Sequence, residues 1–325
     1  MADVAREAGV SRVTVSRVLS APDTVAPRTR AIVEATIARL GFVANLNAGT
    51  LASSRSRIIG ALVPTLSNAW FADTMDGLSA SLSSAGYQLM LGQTRYEDNE
   101  ERRLVDAFIG RRVDALVLTG TQHATGVREK LQNHGMPVVE CWDLSDSPID
   151  TIVGFSNAMA GDKVAHLLVA RGCRRLGFIG AQEHRSLQRL RGFQAAAQSH
   201  GLGDVQVHLV QPPSSVQEGV AGLQRLMDME PLLDGIFCSN DTLALGVLLA
   251  CRNNRWPVPE RVAVVGFSDL PVAEASYPAL TTVRINSHAL GMRAGELILE
   301  RLAGHPQSVQ RVHDLGFDIV VRESA

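Results

Sequence analysis

The chain contains no run of about 18 apolar residues, so no membrane-spanning helix is expected. Its opening, Met1-Ala2-Asp3-Val4-Ala5-Arg6-Glu7, carries both signs of charge and leads into no apolar segment, which argues against a secretory leader. A cytoplasmic protein is therefore expected. Only four cysteines occur, Cys141, Cys173, Cys238 and Cys251, and no two share a C-x-x-C spacing. That pattern fits buried inert thiols in a reducing compartment and offers no metal site. Enzymatic signatures are missing too. There is no G-x-S-x-G elbow, no phosphate-cradling G-x-x-x-x-G-K and no H-E-x-x-H. The nine histidines are dispersed, and His166, in a predicted helix, is read as packed or solvated. Gly177–Gly180 lacks the full dinucleotide spacing. No catalytic residue, cofactor or metal is expected.

What is present is an ordinary globular composition, 46% hydrophobic and 20% charged. A length of 325 residues suggests two or three compact units. The net charge of −2 is unevenly spread. Residues 1–57 hold eight arginines and four acidic residues, an excess of four positive charges, which leaves −6 for the remainder. A basic head on an acidic body is expected when only the head meets phosphate.

The head reads as helices alone. Val4, Ala5 and Ala8 share one face of a first helix over 2–8, and Gly9 breaks it with a left-handed turn. Ser11 is the expected N-cap of a second helix over 12–19, with Val15, Val18 and Leu19 inward. Pro27 suits the first position of a third helix closed by Gly41, with Ile32, Val33, Ile37 and Leu40 inward. The segment 45–57, NLNAGTLASSRSR, is small and polar and reads as a linker. From Ile58 onward strands alternate with helices. Strands are predicted at 58–63, 87–91, 115–118, 138–140, 175–179, 205–210, 235–238 and 262–266, several as continuous apolar runs. Helices are predicted at 71–85, 97–110, 157–171 and 241–253. Such alternation gives parallel, doubly wound sheets. The part beyond the linker exceeds one comfortable core, so two α/β subdomains are expected, with a break near 155 and crossovers near 285, within 281–288. The expected fold class is α/β, with an all-α head before two doubly wound subdomains. The expected domains are 1–44, 45–57 and 58–325.

The stretch DVAREAGVSRVTVSRVLS has the physics of a helix-turn-helix: an apolar first helix, a glycine turn and a capped second helix that can lie in a major groove. Ser11, Arg12, Val13 and Arg17 fall on the exposed side of that second helix. An arginine there can fork to guanine O6 and N7, worth roughly 1–3 kcal/mol of discrimination, and Val13 can touch a thymine methyl. Ser11, Thr14, Ser16 and Arg28 suit phosphates, which fix register without reading sequence. The bare motif leaves a second reading open, a small helical cap with solvated arginines.

Further motifs follow: Pro27-Arg28-Thr29-Arg30, the spacing from Leu51 to Gly60, VPTLSNAWF, GRRVDALVLTG, SNDTLALGVL, and VAVVGFSD followed by PALTTV. With these the chain resembles the LacI family of bacterial repressors over essentially its whole length. ECWDLSDSPIDTIVGFSN resembles the subgroup that responds to gluconate. The resemblance implies a homodimeric repressor on a near-palindromic double-stranded DNA operator, with no membrane contact. It implies a hinge, Asn47–Ser53, that becomes helical on the operator. There Leu51 matches the leucine that wedges open a base step from the minor groove, and Ala48 the small residue that lets the hinge enter. An isolated leucine among serine, glycine and arginine has nothing local to bury against. Ala26 stands for the usual Ser, which weakens that helix cap by roughly 1 kcal/mol, and the usual capping Thr of the first helix would precede Met1. No heptad tail follows Val321, so tetramers are not expected.

The body is similar to type I periplasmic sugar-binding proteins, whose cleft lies between two α/β halves at the carboxyl ends of the strands. The resemblance places Trp70 and Phe71 among the pocket aromatics, Trp70 nearer ligand and Phe71 nearer core. Arg189, in RLRGF, matches the effector-binding arginine, able to hold a carboxylate or two hydroxyls. Asn240 matches a hydroxyl-binding residue, and Asp241 reads as a helix cap. Asp143 and Phe155 match pocket positions on the other half, with Gln93 a lesser candidate. Ser268 stands where the family commonly has Asp, with Asp269 next to it able to shift in. One anion fewer near Arg185, Arg189 and Arg191 favours an acidic sugar, gluconate or a relative or its phosphate, over a neutral one. Occupancy is expected to weaken operator binding, through a differential affinity for two states typically of about 1–3 kcal/mol. Corepression uses the same parts. The rival readings are a sugar-binding module for transport or sensing, which would need export, and a sugar-modifying enzyme.

Overall fold

Three short helices enclose the first core of the chain. A computed structural model describes residues 1–43, 55–304 and 310–325. By internal contact the chain divides into two units, Met1–Ser56 and Arg57–Ala325. In the first, α1 (Ala2–Glu7), α2 (Arg12–Ser20) and α3 (Pro27–Leu40) bury Val4, Ala5, Val15, Val18 and Val33. Gly9 makes the turn after α1 at φ 65°, and Ser11 Oγ accepts the Thr14 amide at 3.1 Å to cap α2. α3 starts at Ala26 without a side-chain cap and ends at Gly41, at φ 58°. Leu19, Ile32 and Leu40, expected inward, are 40%, 47% and 40% exposed. A core of three such short helices is narrow, and α3 buries only Val33 and Thr36 fully.

The second unit holds two sheets. In one, β1 (Ile58–Val63), β2 (Gln88–Gln93), β3 (Ala115–Thr119), β4 (Val138–Cys141), β5 (Thr151–Gly154) and β11 (Val312–Asp314) lie in the order β11-β5-β4-β3-β1-β2. In the other, β6 (Leu176–Ala181), β7 (Gln206–Val210), β8 (Gly235–Cys238), β9 (Ala263–Ser268), β10 (Thr281–Arg284) and β12 (Asp318–Val320) lie in the order β12-β10-β9-β8-β6-β7. All pairings are parallel except β10 with β12. β6, β8 and β9 are buried along their whole length, as apolar strands covered on both faces should be, whereas the edge strands β2 and β7 are mostly exposed or half-buried. The intervening helices are α4 (Ala69–Ser84), α5 (Asp98–Gly110), α6 (Val127–His134), α7 (Asn157–Ala170), α8 (His184–Ser199), α9 (Val216–Met229), α10 (Asp241–Asn253), α11 (Pro271–Ala275) and α12 (Ser287–Leu302).

The chain passes between the sheets three times, at 155–156, at 285–286 and at 315–317. Residues 281–284, read from sequence as part of a crossing, instead form β10 with Thr281, Thr282 and Val283 buried. The short strands β5, β11 and β12 escaped prediction, since three or four residues carry too little periodicity.

α7 and α8 touch backbone to backbone. A Cβ added at Gly161 would lie 1.9 Å from the Arg189 carbonyl oxygen, and one at Gly192 would lie 1.9 Å from that of Ala158. Only glycine permits this approach, which seats the helix carrying Arg185 and Arg189. Gly161→Ala is expected to lower the stability of the second unit by about 1–3 kcal/mol, read as a lower urea midpoint. An unchanged midpoint would mean that the two helices part without cost.

Candidate functional site

On the head, Arg12, Val13, Ser16 and Arg17 form an exposed face of α2, and Arg28 is exposed at the start of α3. Val13 is 60% exposed. The other arginines of α1–α3 are neutralised: Arg6 by Asp3 at 2.7 Å, Arg30 by Asp23 at 3.2 Å, Arg39 by Glu7 at 2.9 Å. Among the described residues no carboxylate pairs with Arg12, Arg17 or Arg28. Three uncompensated guanidinium groups on one small domain suit a polyanion. The Ser11 and Thr14 hydroxyls lie 3.0 Å apart, and Thr14 is half-buried. Asn47, Ala48 and Leu51 lie outside the described residues.

In the body a narrow cavity of about 30 Å³ lies between the two sheets. Asn68, Trp70, Phe71, Tyr96 and Trp142 line it from one side, and Ala181, Glu183, Arg185, Arg189, Pro212, Ser214, Ser239, Asn240, Phe267 and Ser268 from the other. Trp142 follows β4, Ala181 ends β6, Ser239 follows β8 and Ser268 ends β9, so the lining gathers at carboxyl ends of parallel strands. Tyr96, Trp142 and Ser268 hold φ values of 61°, 74° and 115°. Such left-handed conformations in non-glycine residues cluster where structure serves a site.

Glu183 organises the charge here. Its carboxylate caps α8, accepting the Ser186 amide at 2.7 Å and the Arg185 amide at 3.2 Å. It also lies 3.2 Å from Arg185 Nη2 and 3.6 Å from Arg189 Nη2. Burial opposes its ionisation, but Arg185, Arg189 and the two amides outweigh burial and hold it below the usual carboxylate range. Burial lowers Arg189 to about 10, partly offset by Glu183. For Arg185 burial acts the same way, and Glu183 overcomes it to raise the pKa. Burial lifts Tyr96 to about 12 against the pull of Arg185.

Each guanidinium rests on a ring: Arg185 lies 5.4 Å from the Phe71 centroid, Arg189 4.1 Å from that of Phe267. Arg189 Nη1 donates to Asn157 Oδ1. Asn157 Nδ2 in turn donates to the Trp142 carbonyl at 3.1 Å and to Asp143 Oδ1 at 3.3 Å. Arg189 is 7% exposed, and its Nε has no hydrogen-bond partner. A buried donor without an acceptor is costly, and a ligand that reached it would supply one.

The structure brings Trp70, Phe71, Arg189, Asn240 and Ser268 together and leaves four other candidates outside the lining. Phe71 is 2% exposed, while Trp70 is half-buried. Asn240 caps α10 through the Leu243 amide at 3.0 Å and donates to Ser214 Oγ at 2.7 Å. Asp143 lies behind the lining and accepts the Thr121 hydroxyl at 2.9 Å. Phe155 supports the floor, 5.9 Å from both Trp142 and Phe267 between ring centroids. Gln93 is exposed and spends its oxygen on the Leu66 amide at 3.1 Å. Asp269 does not shift in beside Ser268, because Arg284 at 2.6 Å and Arg322 at 2.8 Å hold it elsewhere. Asp241 is no cap. It is buried, bonded to Thr282 Oγ1 at 2.6 Å and the Leu270 amide at 2.7 Å, and burial lifts it to about 6. Sequence reasoning missed Glu183, Tyr96, Trp142 and Asn157. An acid directly before an arginine-bearing helix was the available signal for Glu183; left-handed Tyr96 and Trp142 gave none.

A wider cavity adjoins the first, shares Tyr96, Glu183 and Arg185 with it, and is lined also by Glu97, Asp98 and Glu101. Beside it His123, 3% exposed in its side chain, reaches Glu101 Oε1 with Nδ1 at 2.7 Å and Glu140 Oε1 with Nε2 at 3.0 Å.

Comparison with known proteins bears on both units. Residues 1–45 match the family model described as bacterial regulatory proteins, lacI family, and residues 165–325 match a periplasmic binding protein-like domain. The HTH-type transcriptional regulator GntR of Pseudomonas aeruginosa is 38% identical over 324 residues, covering 99% of this chain and 94% of that protein. A LacI-family regulator from Silicibacter pomeroyi, known by crystal structure, superposes with a TM-score of 0.92 at 29% identity, over 99% of this chain and 98% of that one. The Lac repressor dimer bound to operator and the anti-inducer ONPF shares the fold, with a TM-score of 0.87 at 23% identity over 99% and 97% of the two chains. Among the described residues no helix is long and apolar enough to cross a membrane.

His123 yields a pH test. Burial opposes its protonation, but hydrogen bonds and charges from Glu101 and Glu140 outweigh burial and raise its pKa to about 9. A raised folded-state value stabilises fully below the unfolded value of about 6.5, and the stabilisation is lost as pH rises through about 9. The urea midpoint of the protein should therefore fall between pH 7 and pH 10, and His123→Gln should fall less. Equal falls would show that the histidine is not held protonated.

Proposed function

Because the chain belongs to the LacI family of bacterial regulatory proteins, we propose that an acidic sugar, gluconate or a close relative, is the effector that governs its grip on DNA. The protein is a DNA-binding transcriptional repressor that acts as a dimer on operator DNA under a small-molecule effector. The observation that carries the choice of effector is Arg189, nine-tenths buried with an open Nε in a cavity lined by rings and hydroxyls. A carboxylate satisfies that edge. Asn240, Ser214, Ser239 and Ser268 supply partners for hydroxyls, and the Trp70 ring suits the C–H face of a polyol. These roles require binding and no turnover, and a protein that works on chromosomal DNA works in the cytoplasm.

On the head, Arg12 and Arg17 read base edges, Val13 a thymine methyl, and Ser11, Thr14, Ser16 and Arg28 phosphates. Domain limits of 1–44, 45–57 and 58–325 divide DNA reading, hinge and effector binding with dimerisation. Within the hinge Leu51 wedges a base step, with Asn47 and Ala48 in the minor groove. Arg189 is tied through Asn157 to residues 142 and 143 beside the opposite sheet, so an anion at Arg189 shifts the balance between two arrangements of the lobes. Occupancy then releases the operator.

Two variants separate the functions. Leu51→Ala is expected to weaken operator binding and DNA bending while leaving sugar-acid affinity unchanged. Arg189→Ala is expected to abolish release of operator by sugar acids while the variant still binds operator. Fluorescence anisotropy at fixed salt reads operator affinity, and thermal shift reads ligand binding. Unchanged bending in the first variant, or normal release in the second, would contradict the assignment.

A further inference from the structure

Glu183 is the one carboxylate among the described residues lining the inter-sheet cavity, and it stands between the two guanidinium groups there. We propose that Glu183 sets the charge of the ligand this cavity accepts, admitting one carboxylate and excluding a second negative charge. The proposal rests on the sugar-acid reading above and narrows it.

Two arginines and one glutamate leave the lining with a single uncompensated positive charge. Buried charge is tolerated only when it is paired. A monoanion completes the balance, and a dianion leaves one negative charge in excess. Glu183 cannot swing away to make room, because it caps α8 through two amides. It is also held ionised by its neighbours. Its Oε1 lies 3.6 Å from Arg189 Nη2, so an anion that engages this guanidinium is its near neighbour. Asp143, 2% exposed, does not line the cavity, and its oxygens are bonded to Asn157 and Thr121. The adjoining cavity brings no relief. It shares Arg185 and adds Glu97, Asp98 and Glu101, of which Glu101 is bonded to His123. A second anionic group reaching that way meets carboxylates.

Calorimetric titration of the full chain with D-glucitol, D-gluconate and D-glucarate tests this directly. The three are of similar length and carry no charge, one and two negative charges. Wild type should bind gluconate best, with glucarate weaker by about tenfold or more, as like charges in a desolvated site repel. Glu183→Gln keeps the bulk and one cap acceptor but removes the charge, and should shift the preference toward glucarate. Steric exclusion would not respond to that change. Glu183→Asp should keep the gluconate preference. If Glu183→Gln does not fold, the wild-type series alone decides, since affinity rising steadily from glucitol to glucarate overturns the proposal. An undiminished gluconate preference in Glu183→Gln also overturns it, as does a proportional loss of both acids. If neither acid binds wild type, the sugar-acid reading itself has failed, and this proposal with it.

Discussion

Arg189 carries its charge into the interior and reaches across to the opposite lobe through one amide. The path from its Nη1 to Asn157, and from Asn157 to the Trp142 carbonyl and Asp143, joins helix α8 to the end of β4 within three residues. Everything around it serves to keep a guanidinium there. The glycine contact of α7 with α8 fixes the backbone from which Arg189 departs. Glu183 supplies the counter-charge from the cap of the same helix, and Phe267 supplies a ring face. Buried charge without such neighbours would cost several kcal/mol. Close-packed interiors resist smooth deformation, so a change at such a point favours a discrete rearrangement.

The head is built on the opposite plan. Its core is five small side chains with a few half-buried neighbours, and α3 begins without a side-chain cap. Little energy is stored there. Its acidic residues neutralise Arg6, Arg30 and Arg39 and leave Arg12, Arg17 and Arg28 to face outward. Charge is therefore sorted within a few dozen residues, with ion pairs on the scaffold and unpaired guanidinium groups facing outward.

Much of this was legible in the sequence. The glycine turn and serine cap of the head fix helix limits by backbone geometry alone, and Gly9, Ser11, Pro27 and Gly41 all act as read. Long apolar runs such as 58–63 and 235–238 show themselves as buried strands. What escaped depends on the third dimension. β5, β11 and β12 are too short to show a period, and exist because neighbours complete them. Leu19, Ile32 and Leu40 fit a helical stripe, yet the core beneath is too narrow to cover them. Ser268 was noticed as a missing acid, and Asp269 as its nearest substitute in sequence. In space the counter-charge comes from Glu183, while Asp269 serves Arg284 and Arg322. Asn157 reads as the start of a helix, and only the fold reveals that its side chain bridges a lobe and an arginine.

Linkage makes the central coupling measurable from the ligand side. If sugar-acid occupancy weakens operator binding by some factor, operator must weaken sugar-acid binding by the same factor. The direct measurement is the dissociation constant of gluconate for the protein alone and for the protein saturated with a palindromic operator, at one salt concentration. The expected result is weaker gluconate binding on the operator by roughly 5–150-fold, the usual span of such coupling. Equal affinity in the two states would contradict it, since an effector that does not distinguish them cannot move one into the other.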